Sequence, residues 1–542
     1  MSPLEQTLSR LQELCLAFRP VYVAYALLCW ILWRVLYQLI LWPRFLSPLR
    51  ALPGPPLGSV LAGQFPVIMK GEQGIPQREW TKQYGPVVRV VGPIGIERLI
   101  ITRFETLQKV LVSDWVEYPR PSFMKEILGF VAGYGLLTVT GDEHKKMRKA
   151  MNPAFSLSNL MAQTQMCYDP IYALISVLEG RLGSQSDASK EMVMSEYVTK
   201  VALDIICKTA FGYNCDSLRN PHNELAEAYE EVMGLQEPSC IARIMGFASM
   251  PGFKRFLNSE WAYRHRHWFS KLAFFSPLYV AIDSMHRIKQ ISAHMLQEKL
   301  QESAVTPDAS AKRDIMSLLV RARKADMEQE KAVYTLTNQQ MMDQVLTFLT
   351  AGHETVASGL SWTLWLLAND KHSQNELRKE VKPIFDNNPR PDYRELKDLP
   401  WLDGVIMESL RVLPPVPMSW RQAAKTDYIE GVLVPKGTLF YIPIRVVNTS
   451  KEIWGENAEE FYPPRWRDPP KNHATSLSLL SFFGGPHACI GKTMAIMEMK
   501  VVIAALITRF EFEPIHDDEL SQPVDTITMK GKTTPIRVKR VI

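Results

Sequence analysis

One cysteine of this sequence stands in a glycine-rich loop that leads directly into a helix. Phe482, Gly485, Cys489 and Gly491 follow the spacing F-x-x-G-x-x-x-C-x-G, and an apolar helical pattern continues over Lys492–Arg509. The positive end of a helix and its free backbone N–H groups favour the thiolate, the form of cysteine that binds iron. Roughly one chain in a thousand of this composition would contain the spacing by chance, so the loop predicts an iron–thiolate site.

The other residues of this loop have predicted roles around the sulfur. Gly485 and Gly491 lack a Cβ atom, so the loop can turn tightly and lie flat against a large planar cofactor. Phe482 can pack beneath the sulfur and exclude water from it. The alternative is a free buried cysteine beside an ordinary glycine turn.

A second motif lies inside a long apolar helix. The helical pattern begins near Thr337, which forms a capping-box signature with Gln340, and continues to about Ala368. About thirty residues at 1.5 Å each give about 45 Å, enough to cross a whole domain. Glu354 and Thr355 lie near its middle and supply an acid and a hydroxyl for proton delivery. A mid-helix glycine and threonine also predict a bulge where a small ligand can sit. The alternative is a simple kink with a solvent-facing glutamate.

A third motif pairs a histidine with an arginine on one helix face. His144 and Arg148 stand four residues apart, so both side chains can reach the same anion. The alternative is a solvated basic face that includes Lys145, Lys146 and Lys149.

A fourth motif is an acid and an arginine three residues apart. Glu408 and Arg411 share one face of an apolar helical stretch, Trp401–Leu413, which ends at two prolines. The E-x-x-R spacing alone carries little information, because Glu117 and Arg120 match it as well. We interpret the Glu408–Arg411 pair as structural rather than catalytic.

Most of the remaining chain has the apolar periodicity of helices, for example over Tyr168–Arg181 and Val193–Phe211. A few β-branched runs around turn residues predict short strands. The predicted strands are Val87–Val91, Leu99–Thr102, Ile429–Val434 and Thr438–Ile442. The predicted fold class is therefore mainly α with a small β-sheet (α+β), in a single main domain.

Composition excludes several classes of protein. The 542 residues contain 62 Lys and Arg against 57 Asp and Glu, a net charge of +5, which is too small to indicate a nucleic-acid partner. With 46% apolar and 22% charged residues, the chain is not disordered, collagen-like or polytopic. Its seven cysteines contain no C-x-x-C pair, which argues against a disulfide framework and against structural zinc.

The N-terminal region predicts a membrane anchor. After a tail of residues 1–20, residues 21–42 are apolar except for Arg34 and span about 33 Å as a helix, enough for a bilayer core. A cleaved signal peptide is the alternative, but bulky residues follow the run where small ones should stand. The proline-rich residues 43–58 predict a semi-rigid hinge, and residues 59–542 form the main domain.

The cysteine loop resembles the haem-binding signature of the cytochrome P-450 superfamily, the haem-thiolate monooxygenases. The similarity extends from about Leu52 to the C-terminus, and the anchor with its proline-rich stretch resembles microsomal, fungal members. The resemblance implies haem b (iron protoporphyrin IX), with Cys489 as the ligand of its iron. The implied cofactor-binding residues are His144, Arg148, Arg421, Phe482, Gly485, His487, Cys489 and Gly491.

The sequence departs from the family pattern at two places. The family usually has arginine where this chain has His487, which can still bond a haem propionate but adds charge only when protonated. The resemblance also implies that Arg465 joins Glu408 and Arg411 in a buried network. Pro464 stands where the family usually has a glutamate.

The resemblance implies a monooxygenase that inserts one atom of O2 into an organic substrate, with Glu354 and Thr355 as catalytic proton-relay residues. Electrons would come from an NADPH-cytochrome reductase, with cytochrome b5 as a possible second donor. The expected location is the endoplasmic reticulum membrane, with a single-pass anchor in lipid and a cytosolic catalytic domain. The alternatives are a haem isomerase or dehydratase of the same fold and a non-catalytic haem-binding protein.

The substrate is predicted only as a class. The segments expected to form its pocket are rich in Phe, Met, Leu and Ile, which favours a lipophilic ligand such as a terpenoid, sterol, aromatic secondary metabolite or xenobiotic. These segments are Pro121–Leu137, Cys240–Tyr279, Leu346–Thr350, Pro414–Ser419 and Thr526–Met529.

Overall fold

The computed structural model of the protein describes most of the main domain and the apolar N-terminal helix. The described residues are 20–70, 72, 74–183, 189–220, 222–235, 240, 243, 244, 247, 252–305, 313–328, 334–470, 477–515, 523, 524, 528–531 and 535–541. The N-terminal tail and parts of two predicted pocket segments, Cys240–Tyr279 and Thr526–Met529, lie outside them.

Helices make up most of the described chain, as the apolar periodicity predicted. They are α1 (Pro20–Leu36), α2 (Phe65–Lys70), α3 (Ile75–Tyr84), α4 (Phe104–Gln108), α5 (Ser122–Ala132), α6 (Gly141–Met151), α7 (Leu157–Leu182), α8 (Met194–Phe211), α9 (Glu224–Gly234), α10 (Phe253–Leu257), α11 (Glu260–Arg264), α12 (Arg266–Ser270), α13 (Ser276–Val305), α14 (Ile315–Glu328), α15 (Asn338–Asn369), α16 (Lys371–Asn387), α17 (Tyr393–Leu396), α18 (Pro400–Val412), α19 (Ile444–Asn448), α20 (Lys451–Trp454) and α21 (Lys492–Arg509).

The strands form small sheets at the edge of the helical body. They are β1 (Val87–Val91), β2 (Glu97–Ile101), β3 (Ser189–Val193), β4 (Met418–Gln422), β5 (Asp427–Ile429), β6 (Val432–Val434), β7 (Leu439–Pro443), β8 (Phe510–Pro514), β9 (Pro523–Val524), β10 (Lys530–Gly531) and β11 (Pro535–Arg540). The largest sheet has the order β1-β2-β7-β4, with a parallel β2–β7 pair and antiparallel neighbours on either side. A second sheet, β3-β11-β8, is antiparallel. The predicted fold class is confirmed.

The central helix of the core is α15, which has 32 residues. Its N-terminus has the predicted capping box, in which Thr337 and Gln340 each accept a hydrogen bond from the other's backbone N–H. The helix packs most extensively on α8, and Gly352 lies at that contact. A Cβ atom built on Gly352 would lie 2.7 Å from Ile206, so the glycine allows the two helices to approach closely. The helix is continuous there, which differs from the predicted bulge.

Three predicted strands differ from the observed ones, and the one at Thr438–Ile442 is shifted by one residue to Leu439–Pro443. The stretch Ile429–Val434 is two strands, β5 and β6, because Glu430 and Gly431 adopt positive φ values of 52° and 74° and reverse the chain. The strand predicted at Leu99–Thr102 begins two residues earlier, at Glu97, and ends at Ile101. Strand propensity alone marks neither boundary, because β-branched residues flank the Glu430–Gly431 turn and also stand just outside β2, at Ile96 and Thr102.

The apolar N-terminal helix projects from the body with its side chains exposed. Among the described residues, one helix, Tyr22–Ala51, is long and apolar enough to cross a membrane, judged by length and composition only. The α-helical part ends at Leu36 and continues as a π-helix over Tyr37–Leu46, with Pro43 inside it. The helix thus extends beyond the predicted span of 21–42 and into the predicted hinge, which lies against the body rather than free of it.

One acid of the helical core is almost completely buried. Glu498 on α21 is 1% exposed and lies beside Cys167 of α7. Among the residues that the structure describes, its Oε1 atom has no hydrogen-bond partner. Burial disfavours the charged carboxylate and raises the pKa of Glu498 to about 8. The side chain is therefore mostly a neutral acid at pH 7.

We predict that Glu498 makes the protein less stable as pH rises from about 4.5 to about 8. In this window the folded chain holds a proton that the unfolded chain has released, so the free energy of unfolding falls by about 1.4 kcal/mol per pH unit from this group. Above the folded pKa the contribution no longer changes with pH. Glu498→Gln should remove this slope, measured by denaturant unfolding at several pH values.

The matched control is Glu79→Gln, because the Glu79 side chain is 64% exposed. This variant should keep the wild-type dependence of stability on pH. A Glu498→Gln protein with the same slope as the wild type would contradict a neutral, buried Glu498.

Candidate active site

The cysteine loop precedes α21 as predicted and is closed by its own backbone. The Cys489 N–H donates to the Phe482 carbonyl over 2.8 Å, which folds the loop back on itself. Gly485 has a φ of +69°, and a Cβ atom there would lie 2.2 Å from the Leu111 carbonyl oxygen. Gly491 has an ordinary φ of −86°. Gly485 is therefore required by the turn and by close packing, whereas Gly491 acts through its backbone N–H.

The Cys489 sulfur faces an internal crevice. Its side chain is exposed, yet enough protein surrounds it to desolvate the thiol, and this combination indicates a crevice within the body. Burial raises the pKa of the Cys489 thiol, while the Gly491 N–H, Arg148 and Lys492 oppose this by favouring the thiolate. These three partners favour the thiolate, which is the form of cysteine that binds a metal ion.

Hydrogen bonds from α19 and α18 hold the cysteine loop in place. The fully buried Asn448 accepts from the Leu480 N–H over 2.7 Å and donates to Ser481 Oγ over 2.8 Å. Ser481 Oγ in turn donates to the Leu410 carbonyl over 2.7 Å. Asn448 was not among the residues that the sequence motifs identified. A lone Asn after an apolar run gives no signal of such a contact.

The predicted network around Glu408 is present and fully buried. Arg411 binds both carboxylate oxygens of Glu408 at 2.8 Å, and Arg465 Nε binds Oε1 at 3.0 Å. The Tyr462 N–H and the Trp466 indole N–H donate to the same carboxylate. Each lone-pair direction of this buried anion thus has a donor, which is the condition under which a buried charge is tolerated. The network is structural, as predicted, because it lies within the fold and not in the crevice.

The structure brings the predicted anion-binding residues together beside the cysteine loop. His144 is buried, and its ring lies 4.1 Å from that of His487 between ring centroids. Arg148 Nη1 donates to the Ala488 carbonyl over 2.5 Å. Arg421 is buried on β4 and stacks on Phe483 at 4.6 Å. Helix α6 therefore turns His144 and Arg148 inward, and its lysines form the exposed face.

Two further residues belong to this cluster and were missed by the sequence motifs. Arg120 is half-buried, donates to the Leu137 carbonyl over 2.7 Å and acts electrostatically on His487 and Arg421. Trp115 packs its ring edge-on against both His144 and His487. Arg120 was considered only as a false match to E-x-x-R. Pro119 before it and Pro121 after it show that it is not helical, but nothing local shows what it faces.

The cluster carries positive charge that no carboxylate of the described chain balances. Burial lowers the pKa of Arg120 to about 10 and that of Arg421 well below its usual value, yet arginine stays charged at neutral pH. Burial and the neighbouring cations lower the pKa of His144 to about 4 and that of His487 to about 2, so both rings are neutral. The buried Nδ1 atom of His144 has no hydrogen-bond partner among the described residues.

These observations test whether the residues fit a haem group, and they do. Buried arginine charges need an anion, and haem propionates are anions. The orphaned His144 nitrogen is a further site for a polar ligand atom. Cys489 supplies a sulfur that faces the same crevice as Arg148, since each affects the other's pKa. The donor set therefore matches an anionic cofactor with a thiolate-ligated metal.

Glu354 and Thr355 lie at the middle of α15 in different environments. Glu354 is buried at 3% exposure, which excludes a solvent-facing glutamate, and its Oε1 accepts from Thr528 Oγ1 over 2.9 Å. Thr355 is half-buried, and its hydroxyl donates to the Ala351 carbonyl over 2.7 Å. The Thr355 oxygen thus keeps its lone pairs for accepting a hydrogen bond. Thr528 was predicted only as part of a pocket wall.

The described parts of the predicted pocket walls converge on α15. Helix α5 packs against it, and Thr347 and Thr350 donate to the Ala132 and Val131 carbonyls. On another side, Met529 binds the Pro415 carbonyl through its N–H and accepts hydrogen bonds from α15. The polar groups of these threonines are satisfied by backbone atoms. The surface that remains for a ligand in these segments is mostly apolar.

Comparisons with known proteins agree with this geometry. The sequence profile of the family Cytochrome P-450 matches residues 53–538. Cytochrome P-450 monooxygenase 205 of Postia placenta is 31% identical over 487 residues, covering 86% of this chain and 87% of the relative. Cytochrome P-450 monooxygenase sphH of Aspergillus fumigatus is 29% identical, covering 89% and 86%. The ganoderic acid synthetase of Ganoderma lucidum is 28% identical, covering 91% and 92%. The predicted family is thereby confirmed, and the chain belongs to the cytochrome P-450 monooxygenases.

Proposed function

We propose that this monooxygenase binds haem b through Cys489 and inserts one atom of O2 into a lipophilic organic substrate. The observation that carries the proposal is the Cys489 sulfur in an internal crevice beside buried, unbalanced arginine charges. When bound, the haem iron supplies oxygen activation, and a thiolate ligand favours cleavage of the O–O bond. The residues of this chain supply the ligand, the charge balance and the protons.

Three arginines and two histidines hold the propionates in this proposal. Arg120, Arg148 and Arg421 bring fixed positive charge, whereas burial and neighbouring arginines lower the pKa values of His144 and His487, which act as hydrogen-bond partners. His487 therefore does not supply the charge of the arginine that is usual at this position. Arg120 and Arg421 compensate for this difference, because both act electrostatically on the His487 ring. Phe482, Gly485 and Gly491 shape the loop around the sulfur.

Glu354 and Thr355, at the middle of α15, deliver protons in this proposal. The Thr355 oxygen accepts a hydrogen bond from a ligand or a water in the crevice, because its own hydrogen points to the Ala351 carbonyl. Glu354 supplies the acid, and the Thr528 hydroxyl orients its carboxylate. This acid and hydroxyl pair favours oxygen chemistry over a haem isomerase or dehydratase, which needs no proton delivery to O2.

The substrate is lipophilic in this proposal, because apolar side chains line the segments that meet α15. Aromatic residues between α10 and α13 extend this character to the surface, where Trp261, Trp268 and Phe274 are each more than half exposed. Such a surface suits substrates that partition into a membrane. The name of one relative assigns it to ganoderic acid, which supports a secondary metabolite.

The electron donor is proposed to be an NADPH-cytochrome reductase, with cytochrome b5 as a second donor. The exposed lysines of α6, Lys145, Lys146 and Lys149, present positive charge on the outer side of the helix that carries His144 and Arg148. Complementary charge of this kind steers the encounter of two proteins. Helix α1 anchors the enzyme in the endoplasmic reticulum membrane, with the catalytic domain in the cytosol.

We predict that Cys489→Ala abolishes thiolate ligation. The reduced carbon-monoxide complex of the wild type should show the red-shifted Soret band of a thiolate ligand, because the sulfur donates electron density to the iron. The variant should lack this band in the absorption spectrum. The control is Cys29→Ala, since Cys29 is exposed on α1 and should be irrelevant to the band. A variant at position 489 with a wild-type spectrum would assign the ligand elsewhere.

We predict that the reaction incorporates one oxygen atom from O2. The enzyme, reconstituted with an NADPH-cytochrome reductase, is supplied with isotopically labelled O2 and a panel of terpenoids, sterols and aromatic metabolites. Mass spectrometry should find a product that gained one labelled oxygen atom in an NADPH-dependent reaction. A product without the label would instead indicate an isomerase or dehydratase, and haem binding without any product a non-catalytic protein.

We predict that Thr355→Ala uncouples NADPH consumption from product formation. Without the hydroxyl oxygen, proton delivery is impaired, so electrons should leave as hydrogen peroxide. Product per NADPH should fall at least about tenfold, since positioned proton transfer contributes ~10²–10⁴-fold. The measurement compares product, NADPH and peroxide, with haem content as a check on folding.

Two matched variants accompany Thr355→Ala. Thr355→Ser keeps a hydroxyl and should restore most of the coupling. Thr363→Ala removes another hydroxyl of α15 that also donates to a backbone carbonyl, and it should leave the ratio unchanged. If Thr355→Ala keeps the wild-type ratio, the hydroxyl only shapes the helix.

A further inference from the structure

The end of the apolar N-terminal helix contacts the body at several points. After Leu36 the π-helix Tyr37–Leu46 lies beside the β1–β2 hairpin, and a short 3-10 helix, Pro48–Ala51, follows it. We refer to residues 37–52 as the helix-exit segment. A flexible tether would expose this segment, but its side chains and backbone make specific contacts to the sheet.

A single buried carboxylate connects the helix-exit segment to the sheet. Glu97 of β2 accepts from the Trp42 indole N–H over 2.9 Å and from Ser47 Oγ over 2.6 Å. It also accepts from Arg89 Nε of β1 over 2.6 Å, and Arg89 Nη2 donates to the Pro43 carbonyl over 2.5 Å. The Glu97 side chain is only 5% exposed. The carboxylate thus has donors from both sides of the junction.

Close backbone contacts fix the same junction independently of Glu97. Gln38 donates to the Ile94 carbonyl over 3.1 Å. A Cβ atom on Gly95, whose φ is +69°, would lie 2.2 Å from the Gln38 carbonyl oxygen. Further along, the Arg89 N–H donates to the Pro53 carbonyl over 2.8 Å, so the proline-rich stretch also follows β1. The helix therefore cannot pivot without breaking hydrogen bonds at several points.

Exposed apolar side chains surround the point where the helix meets the body. We refer to Phe45, Leu46, Val60, Leu61 and Ile94 as the helix-exit patch. Their exposed fractions range from 49% for Val60 to 66% for Leu61. The Ile94 N–H donates to the Leu61 carbonyl over 2.8 Å, which places two of these side chains side by side.

The patch has a polar edge on the same segment. Arg44 and Arg50 are both exposed next to these apolar side chains. An apolar surface that continues an apolar helix and carries basic residues at its margin matches the interface of a bilayer with anionic headgroups.

We propose that Glu97 clamps the helix-exit segment to the sheet, so that the helix-exit patch lies in the lipid interface at a fixed orientation. The occupant of the patch is the bilayer, because the patch is continuous with the apolar helix. The inference rests on the proposed role of α1 as a membrane anchor. It adds that the catalytic domain does not rotate freely on its anchor.

The experiment places a photo-reactive amino acid, benzoylphenylalanine, at Leu61 or at Ile94 of the full-length protein. The protein is reconstituted into vesicles of phosphatidylcholine and phosphatidylserine, irradiated and analysed for lipid adducts by mass spectrometry. The matched control is Leu157, an equally apolar residue that is 52% exposed at the start of α7, a helix that packs on α21. We expect lipid adducts several-fold more abundant at Leu61 and Ile94 than at Leu157.

Two variants test the clamp itself. Glu97→Ala removes the shared acceptor, and Gly95→Val places side-chain atoms against the Gln38 carbonyl while leaving the Glu97 contacts unchanged. Both should still sediment with vesicles, and lipid adducts at Leu61 and Ile94 should fall to the Leu157 level. The thiolate Soret band reports whether each variant is folded. If Glu97→Ala loses this band, Gly95→Val decides the question.

The outcomes distinguish a failure of the proposed Glu97 clamp from a failure of the proposed membrane anchor. Wild-type adducts at Leu61 and Ile94 that do not exceed those at Leu157, or that form to protein instead of lipid, overturn the proposal. So does a wild-type adduct pattern in folded Glu97→Ala and Gly95→Val. If the full-length protein is released from vesicles by alkaline wash, the anchor itself is wrong. Deletion of residues 1–36, which leaves Trp42 and Ser47 on Glu97, should release a folded body.

Discussion

The buried carboxylate of Glu408 is the interaction on which the cysteine side of the molecule depends. It is saturated by Arg411, Arg465 and two further N–H donors, so it orders segments that are far apart in sequence. Arg411 also donates to the Asn448 carbonyl, which links this network to α19. Asn448 in turn holds the start of the cysteine loop through Leu480 and Ser481. Removal of one partner would leave an uncompensated buried charge, which is far more costly than the loss of a surface contact.

On the other side of the crevice, the chain leaves positive charge for a ligand to balance. There the chain collects Arg120, Arg148 and Arg421 and leaves them without carboxylate partners in the described part of the molecule. A buried charge that the protein does not balance favours the binding of a ligand with the opposite charge. The Glu408 network and the arginine cluster thus contain the same residue type with opposite roles. Whether a carboxylate of the chain is present decides between a structural role and a binding role.

The two sides are joined by the long central helix and by the elements that pack on it. Gly352 lets α8 approach closely, and the Met529 segment binds α15 and Pro415 at the same time. The acid of Glu354 is consequently held by a residue from a distant strand segment, Thr528. The N-terminal helix is tied to the sheet by an equally long-range contact through Glu97. In each case a hydrogen bond from one element fixes the orientation of a second element. Apolar packing alone does not specify that orientation.

Features encoded by neighbouring residues could be predicted from the sequence. The cysteine loop, the helix over Lys492–Arg509 and the capping box at Thr337 depend on spacing within one or two turns, and the structure has them where expected. The Glu408–Arg411 pair is also local, since residues three apart share a helix face. The family resemblance placed Arg465 beside it. The turn at Glu430 and Gly431 was missed, because a single glycine within a strand pattern does not distinguish a bulge from a reversal of the chain.

Only the tertiary structure decided which residues share the crevice and the anchor junction. Arg120, Trp115, Asn448, Thr528 and Glu97 have ordinary local surroundings, and their partners lie tens to hundreds of residues away. The lowered pKa values of His144 and His487 could not be predicted from the sequence either, because burial and neighbouring arginines cause them. Sequence patterns report periodicity and short-range spacing, whereas hydrogen bonds and burial depend on distances between elements that only the folded chain defines.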